Sequence, residues 1–343
     1  MLRRLISLLS VLLLVSPAGA GAGETLRLLT WPGYADRDLV QAFEQRFNVT
    51  VDVTYVGSDD EMWERANNKD GAAFDVIAAN TAELQRYIDN GLVQPLRLRN
   101  IPNTHNQTAR FRNLPNIPGL TRKGEAYAIP YTYSAMGLIY NRKLVAKAPT
   151  SIAALWDPKY RGKVLAYNGS SHNFSLAALA LGFSDPFRLT QPQFSQAVNH
   201  LRQLRDNVLA FYSKPEEVVD LFRSKDVALI YANYGDQQVQ LLEKAGADIG
   251  YVIPREGALA WLDCWAVMRS AHDRNLAEAW INYTLTPAVS GQLPLRQGLS
   301  NTLAAGADPS RQEAKLIWLE PVEDYARRTL YWERLMSGYD KAR

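Results

Sequence analysis

The feature that most constrains the fold of this chain is an alternation of short apolar strands with amphipathic helices over residues 25–90. Hydrophobic spacing predicts strands at 25–30, 49–56 and 74–79 and helices at 38–47, 59–68 and 82–90. Strands that alternate with helices are typical of a doubly wound, mostly parallel sheet. We therefore expect an α/β protein.

The same kind of pattern continues after a polar, proline-dotted excursion over residues 100–124. It predicts strands at 134–140, 163–167 and 228–231 and helices at 173–181, 193–206, 215–223 and 275–284. The chain is long enough for two domains at roughly 100–200 residues each.

In open α/β sheets, ligands bind beyond the carboxyl ends of the strands, so the residues that follow each strand are candidate ligand contacts. In the first half these are Trp31, Tyr34 and Asn80, with Thr81 as the expected cap of the next helix. In the second half they are Ser170, Ser171, His172 and Tyr231.

One carboxylate lies inside an otherwise apolar run. Asp263 is flanked by Trp261 and Trp265, and the alternation of a strand would put all three on one face, with Cys264 on the other. A buried, unpaired carboxylate costs several kcal/mol, so Asp263 requires a cation, backbone donors or water. A ligand amine beside the indole rings would satisfy it, with cation–π attraction in addition. An internal Arg or Lys is the structural alternative.

The first twenty residues have the form of a cleaved secretory leader: Arg3 and Arg4, an apolar segment over residues 5–15, and a small-residue exit ending at Ala20. The apolar segment is too short to span a bilayer. We therefore expect an exported, periplasmic protein. Loss of the two arginines lowers the formal charge from +3 to +1, and nothing in that balance points to nucleic acid.

The sequence gives little indication of a metal site, a disulfide bond or a catalytic centre. The single cysteine excludes an internal disulfide, and the four histidines are widely spaced, so we expect no metal and no cofactor. Standard nucleophile, zinc-protease and phosphate-loop motifs are absent from the sequence, which argues against an enzyme.

Several segments together carry a family resemblance. They are residues 30–34, 69–71, 90–93, 126–131, 155–163, 254–257 and 261–263. With them, nearly the whole mature chain resembles the periplasmic spermidine/putrescine-binding proteins of bacterial ABC importers.

The resemblance implies a type II periplasmic-binding-protein fold, in which two α/β lobes close on a ligand in the cleft between them. It implies residues 24–133 plus 261–307 for lobe one and residues 134–260 plus 308–343 for lobe two. It further implies an inner-membrane ABC permease as partner, a monomeric state, and a site walled by Trp31, Tyr34, Tyr231 and Trp261, with Asp263 as the amine-binding carboxylate.

The chain departs from that family at the far end of the site. Polyamine binders place two acids at the start of a lobe-two helix, where this chain has Gly169 and His172, and two ligand-side tyrosines are replaced by Ala82 and Leu299. A helix start without acids suits a carboxylate, because its first N–H groups lack partners and carry partial positive charge. Ser170, Ser171 and His172 add donors.

The favoured ligand is therefore an ω-amino acid such as 4-aminobutyrate or 5-aminovalerate. Polyamine binding is the main alternative. The further alternatives are catalysis at the Ser170–His172 segment, a ligand-free chemosensory or regulatory adaptor on the same fold, and a ferric ion held by Tyr131, Tyr133, Tyr231 and Tyr234. Capping of the helix by a serine, with a solvated His172, is the purely structural interpretation.

Overall fold

The computed structural model of the protein describes residues 24–57, 59–67, 73–303 and 315–337. The expected leader at residues 1–20 and the 69–71 segment lie outside the described residues. The strands are β1 (Thr25–Thr30), β2 (Thr50–Tyr55), β3 (Val76–Asn80), β4 (Thr121–Arg122), β5 (Glu125–Ala126), β6 (Ala128–Ala135), β7 (Leu138–Asn141), β8 (Val164–Tyr167), β9 (Val208–Tyr212), β10 (Leu229–Tyr231), β11 (Ile249–Val252), β12 (Ala258–Val267), β13 (Ser300–Asn301) and β14 (Leu316–Trp318).

The α-helices are α1 (Arg37–Phe47), α2 (Asp59–Asn67), α3 (Thr81–Asp89), α4 (Ala109–Arg112), α5 (Ser170–Ala180), α6 (Gln191–Asn207), α7 (Pro215–Ser224), α8 (Asp236–Lys244), α9 (Arg274–Thr284), α10 (Pro287–Ser290) and α11 (Tyr325–Ser337). Short 3-10 turns lie at Leu98–Asn100, Pro102–Asn106, Leu114–Asn116, Ile152–Trp156 and Pro158–Tyr160, and a π-turn at Leu293–Gln297.

Two sheets form the centres of two lobes. The first runs in the order β13-β6-β12-β3-β1-β2, with β14 pairing β12, and the second in the order β11-β7-β10-β8-β9. In the first sheet β1 is parallel to β2 and β3, and in the second β8 is parallel to β9 and β10. The two-lobed α/β fold expected from the sequence is confirmed.

The two long strands β6 and β12 pair antiparallel and lead from one lobe into the other. The expected lobe boundaries at 133/134 and 260/261 fall inside these two strands. The C-terminal part contributes to both lobes, because β14 joins the first sheet while α11 packs against α5 and α6 of the second lobe.

The lobes are held together by close backbone contacts near this crossover. Gly235 has φ +49°, and a Cβ there would lie 2.0 Å from Ser134 Oγ and 2.6 Å from the carbonyl oxygen of Ala135. Ser134 Oγ in turn donates to the carbonyl of Tyr234 at 3.2 Å. Residue 235 must therefore be glycine for lobe two to approach β6 this closely.

The structure corrects two local predictions. The N-cap of α3 is Asn80, whose side chain accepts from the N–H groups of Ala82 and Glu83, so Thr81 is not the cap but the first helical residue. Helix α5 begins at Ser170 and not at Asn173. Because of this earlier start, Ser170, Ser171 and His172 form the first helical turn and do not belong to a loop.

Candidate functional site

Asp263 is buried in the middle of β12 at 7% exposure. Its Oδ2 accepts a 2.5 Å hydrogen bond from the Tyr34 hydroxyl, and no ion pair to Asp263 is present among the described residues. Burial raises the pKa of Asp263 to about 7, and the Tyr34 bond lowers it in part. A carboxylate in this environment gains strongly from a cationic ligand.

The β-bulge next to Asp263 explains its geometry. Strand β12 keeps a continuous register with β3, with Asp263 opposite Asn80, but its pairing with β6 shifts between Asp263 and Cys264, so that Asp263 faces Thr132 and Cys264 faces Pro130. Bulges of this kind reorient side chains and are frequent beside functional sites.

Aromatic rings pack around Tyr34, the hydrogen-bond donor to Asp263. The Tyr34 ring packs edge-on against Tyr131 at 5.6 Å and against Trp265 at 6.3 Å between centroids. Tyr34 thus contacts both Asp263 and Trp265, as the predicted shared face of β12 requires. Trp31 is half-buried, and its indole N–H donates to the carbonyl of Ala78 at 2.9 Å, which fixes the ring beside the end of β3.

Asn80 connects Asp263 with a second carboxylate that the sequence did not single out. The Nδ2 of Asn80 donates to Oδ1 of Asp59 at 3.0 Å, while its Oδ1 caps α3. Asp59 is the first residue of α2. The lobe-one face of the cleft therefore carries two acids, and both are adjacent to Asn80.

On lobe two, α5 begins without a side-chain cap. Its N-cap is Gly169, and neither serine supplies the missing acceptor. The Ser170 hydroxyl lies 3.1 Å from that of Thr329, and Ser171 Oγ is buried with no hydrogen-bond partner among the described residues. The uncapped first turn offers donors to an anion.

The glycine at 169 is explained by packing. A Cβ there would lie 2.4 Å from Cε1 of the Tyr167 ring, and that ring also stacks on His172 at 5.9 Å between centroids. Any larger side chain at this position would have to displace the Tyr167 ring.

His172 lies in the first turn of α5, with Nδ1 3.1 Å from Oδ1 of Asn233. Burial lowers its pKa, the Asn233 bond raises it, and the positive charge of Arg328 lowers it. Arg328, on α11, is fully buried, bonds to Glu323 at 2.6 Å, and donates to the carbonyl of Ser171 at 3.1 Å. The sequence did not single out this buried cation behind the helix start.

Trp261 and Tyr231 occupy different environments. Trp261 is half-buried, packs against the cores of both lobes, and donates from its indole nitrogen to the carbonyl of Asn233 at 3.1 Å, which joins β12 to lobe two. Tyr231 is fully buried in lobe two, and its hydroxyl donates to Met136 Sδ at 3.3 Å. The structure thus brings Tyr34 and Asn80 beside Asp263, with Trp261 on the same strand, and places the Tyr231 ring in the core of lobe two.

The described residues form no cluster of three or more His, Cys, Asp and Glu side chains that could hold a metal ion. The hydroxyls of Tyr231 and Tyr234 bond to Met136 and to the carbonyl of Ser213. Burial raises the pKa of both tyrosines, which disfavours the phenolates that iron requires. Cys264 is a buried free thiol on the opposite face of β12 from Asp263.

This geometry was compared with known proteins. The family of bacterial extracellular solute-binding proteins matches residues 38–300. The chain belongs to this family. Residues 38–300 include the first-lobe acids, the crossover strands and the uncapped α5. As a member, the protein is a solute-binding protein and not an enzyme.

Curated relatives agree with this assignment. The spermidine/putrescine-binding periplasmic protein of Escherichia coli K12 is 27% identical over 293 residues, covering 85% of this chain and 81% of the relative. Spermidine/putrescine-binding periplasmic protein 1 of Haemophilus influenzae is 27% identical over 300 residues, with coverage of 87% and 78%. These relatives confirm the resemblance and the expected periplasmic location. In the part of the chain that the structure describes, every helix is too short or too polar to cross a membrane.

Solved structures agree on the fold. The Streptococcus pneumoniae spermidine/putrescine ABC transporter substrate-binding protein PotD superposes with a TM-score of 0.75 at 20% identity, covering 93% of this chain and 99% of that one. The Atu4243-GABA receptor superposes with a TM-score of 0.70 at 16% identity, covering 91% and 97%. At these identities the likeness concerns the fold alone.

Proposed function

We propose that this protein delivers a small amine-bearing solute to an ABC importer, and that the solute is an ω-amino acid such as 4-aminobutyrate or 5-aminovalerate. The observation that carries the proposal is the opposite polarity of the two cleft faces. Buried Asp263 lies on lobe one, and the uncapped start of α5 lies on lobe two.

The lobe-one end suits an ammonium group. Asp263 is acceptor-only when ionised and receives one hydroxyl from Tyr34. Trp261 precedes it on the same face of β12, and the indole of Trp31 is bonded to Ala78 near the end of β3; indole faces attract cations. An ammonium at this position would offset the desolvation that raises the pKa of the carboxyl.

The lobe-two end suits a carboxylate for three reasons. The N–H groups at the start of α5 have no side-chain cap, Ser171 Oγ has no partner among the described residues, and the buried Arg328 adds positive charge behind the turn. The bond between Arg328 and Glu323 neutralises part of that charge, so the helix start supplies the directional donors.

Polyamine binding is the second candidate, and two observations favour it. The curated relatives carry spermidine and putrescine in their names, and lobe one holds Asp59 as well as Asp263. Against it, a second ammonium would face Gly169, His172 and the positive end of α5, whose first turn contains no acidic residue.

Calorimetric titration of the purified protein decides between the two. 4-Aminobutyrate or 5-aminovalerate should bind more tightly than putrescine or spermidine, and the paired substitution Ser171→Ala with His172→Ala should weaken the ω-amino acids more than the polyamines. The exposed Ser195→Ala serves as a control on a different helix start. Tighter binding of either polyamine would contradict the proposed ligand class.

A further inference from the structure

We propose that Asp59 is a second ammonium-binding carboxylate and that, together with Asp263, it makes the site selective for primary over quaternary ammonium groups. This inference rests on the amine ligand proposed above, but not on the nature of the ligand's other end. It assigns a specificity role to a residue at the start of α2, outside the strand ends from which the ligand contacts were predicted.

Both acids are neighbours of Asn80, Asp263 through the strand register and Asp59 through a side-chain hydrogen bond. Asn80 is paired in register with Asp263 across β3 and β12, and its Nδ2 donates to Asp59 Oδ1 at 3.0 Å. The oxygen of the same Asn80 amide accepts from the N–H groups of Ala82 and Glu83. Because the amide is bonded through both its nitrogen and its oxygen, it holds Asp59 at the end of β3, opposite Asp263 on β12.

The field of Asp59 reaches both faces of the cleft. Burial raises the pKa of Tyr34, and the charges of Asp263 and Asp59 raise it further. On the opposite lobe, burial raises the pKa of Tyr167, a bond with Tyr234 lowers it, and the charge of Asp59 raises it again. Asp59 therefore lies within electrostatic range of a tyrosine of each lobe.

The chemistry of two carboxylates distinguishes between classes of amine. A primary ammonium group has three N–H donors, and a carboxylate can accept several hydrogen bonds at once, so one nitrogen can donate to both acids. A trimethylammonium group has no donor and is bulkier, and it would interact with the acids through charge alone. Indole rings by themselves would favour the quaternary group, so the acids set the direction of selectivity.

The test is a titration with 4-aminobutyrate and its N,N,N-trimethyl analogue, and with putrescine as a second primary amine. The proteins are the wild type, Asp59→Asn, Asp59→Glu and Asp263→Asn. Asp52→Asn is the matched control, because Asp52 is an exposed acid of lobe one whose loss changes the net charge equally. Circular dichroism and thermal unfolding verify that each variant is folded.

Asp59→Asn should weaken the primary amines about 10- to 100-fold, the loss expected for a charged hydrogen bond, with little effect on the trimethyl analogue. Asp59→Glu, which retains the charge, should keep most of the preference for the primary amine and keeps the test available if Asp59→Asn does not fold. The assignment is overturned if Asp59→Asn binds the primary amines within about twofold of the wild type, the range of ordinary surface substitutions, while Asp263→Asn loses binding. If the wild type binds none of the amines, the proposed function itself fails.

Discussion

Replacement of Asp263 by Asn should have two opposite effects, one on the stability of the ligand-free protein and one on ligand affinity. The substitution keeps the shape of the side chain, and the amide oxygen can still accept the hydroxyl of Tyr34, which lies 2.5 Å from the carboxylate. What it removes is a negative charge at a site that is 7% exposed.

The stability effect follows from the pKa of Asp263. The folded protein has a value of about 7, against 3.8 for an ordinary Asp. Because this pKa is raised in the folded state, the folded protein binds more protons than the unfolded chain between these two values, and stability falls as pH rises from about 4 to 7. At about 1.4 kcal/mol per pKa unit, the full cost above pH 7 is about 4 kcal/mol.

The Asp263→Asn variant has no carboxylate at this position, so it does not lose stability through ionisation of a buried group as pH rises. The ligand-free variant should therefore be more stable than the wild type by up to about 4 kcal/mol at pH 8, and by less than about 1 kcal/mol at pH 4. Amine affinity should fall at least about 100-fold, since a buried ammonium without its partner costs about 3–5 kcal/mol.

Urea unfolding at pH 4 and pH 8, with no amine in the buffer, measures the first effect. Calorimetric titration with 4-aminobutyrate and with putrescine at pH 8 measures the second. A variant that is less stable than the wild type at pH 8 would refute the account of a desolvated, uncompensated carboxylate. Unchanged affinity in a folded variant would refute the role of Asp263 as amine anchor.

Three further predictions concern the same cleft. Affinity for 4-aminobutyrate should fall about tenfold for each pH unit below 7, because Asp263 must be ionised to bind the ammonium; a dissociation constant that is equal at pH 5.5 and pH 8.5 would contradict this. Trp261→Ala should weaken amine binding about tenfold or more through lost cation–π and desolvation effects. The control is Trp156→Ala, which removes another indole that donates to a backbone carbonyl; it should leave the amine affinity measured by titration unchanged. Arg328→Met should destabilise the fold by about 1–3 kcal/mol in urea, since it removes the donor from the carbonyls of Ser171, Pro186 and Phe187; equal stability would exclude Arg328 as a support of α5.

The sequence predicted the fold well where local periodicity and turn chemistry agree with tertiary packing. The alternation over residues 25–90 corresponds to β1, α1, β2, α2, β3 and α3 of the structure. It could not assign the cap of α3, because Asn80 and Thr81 are both good caps, and the choice depends on Asp59 and the β12 register, which are remote in sequence.

The site was predictable only in part. Asp263 was identifiable because a carboxylate in an apolar strand breaks a strong pattern. Asp59 was not, because it lies in a run of acids at a helix start, where acids are ordinary. Arg328 was equally hidden, since it occurs beside Arg327 in a charged segment and only tertiary packing buries one of the two. Tyr231 was predicted to contact the ligand because it ends a strand, but its ring is buried in the core. A position at a strand end does not determine the direction of the side chain.

The central claim is that the two ends of the ligand meet opposite polarities, and a crystal structure of the complex with 4-aminobutyrate tests it most directly. We predict that the ligand nitrogen lies within hydrogen-bonding distance of an Asp263 carboxylate oxygen, about 2.7–2.9 Å, with the ligand carboxylate at the N–H groups of Ser170–His172. A ligand carboxylate on the Asp263 side, or a ligand nitrogen bound at the start of α5, would contradict the account.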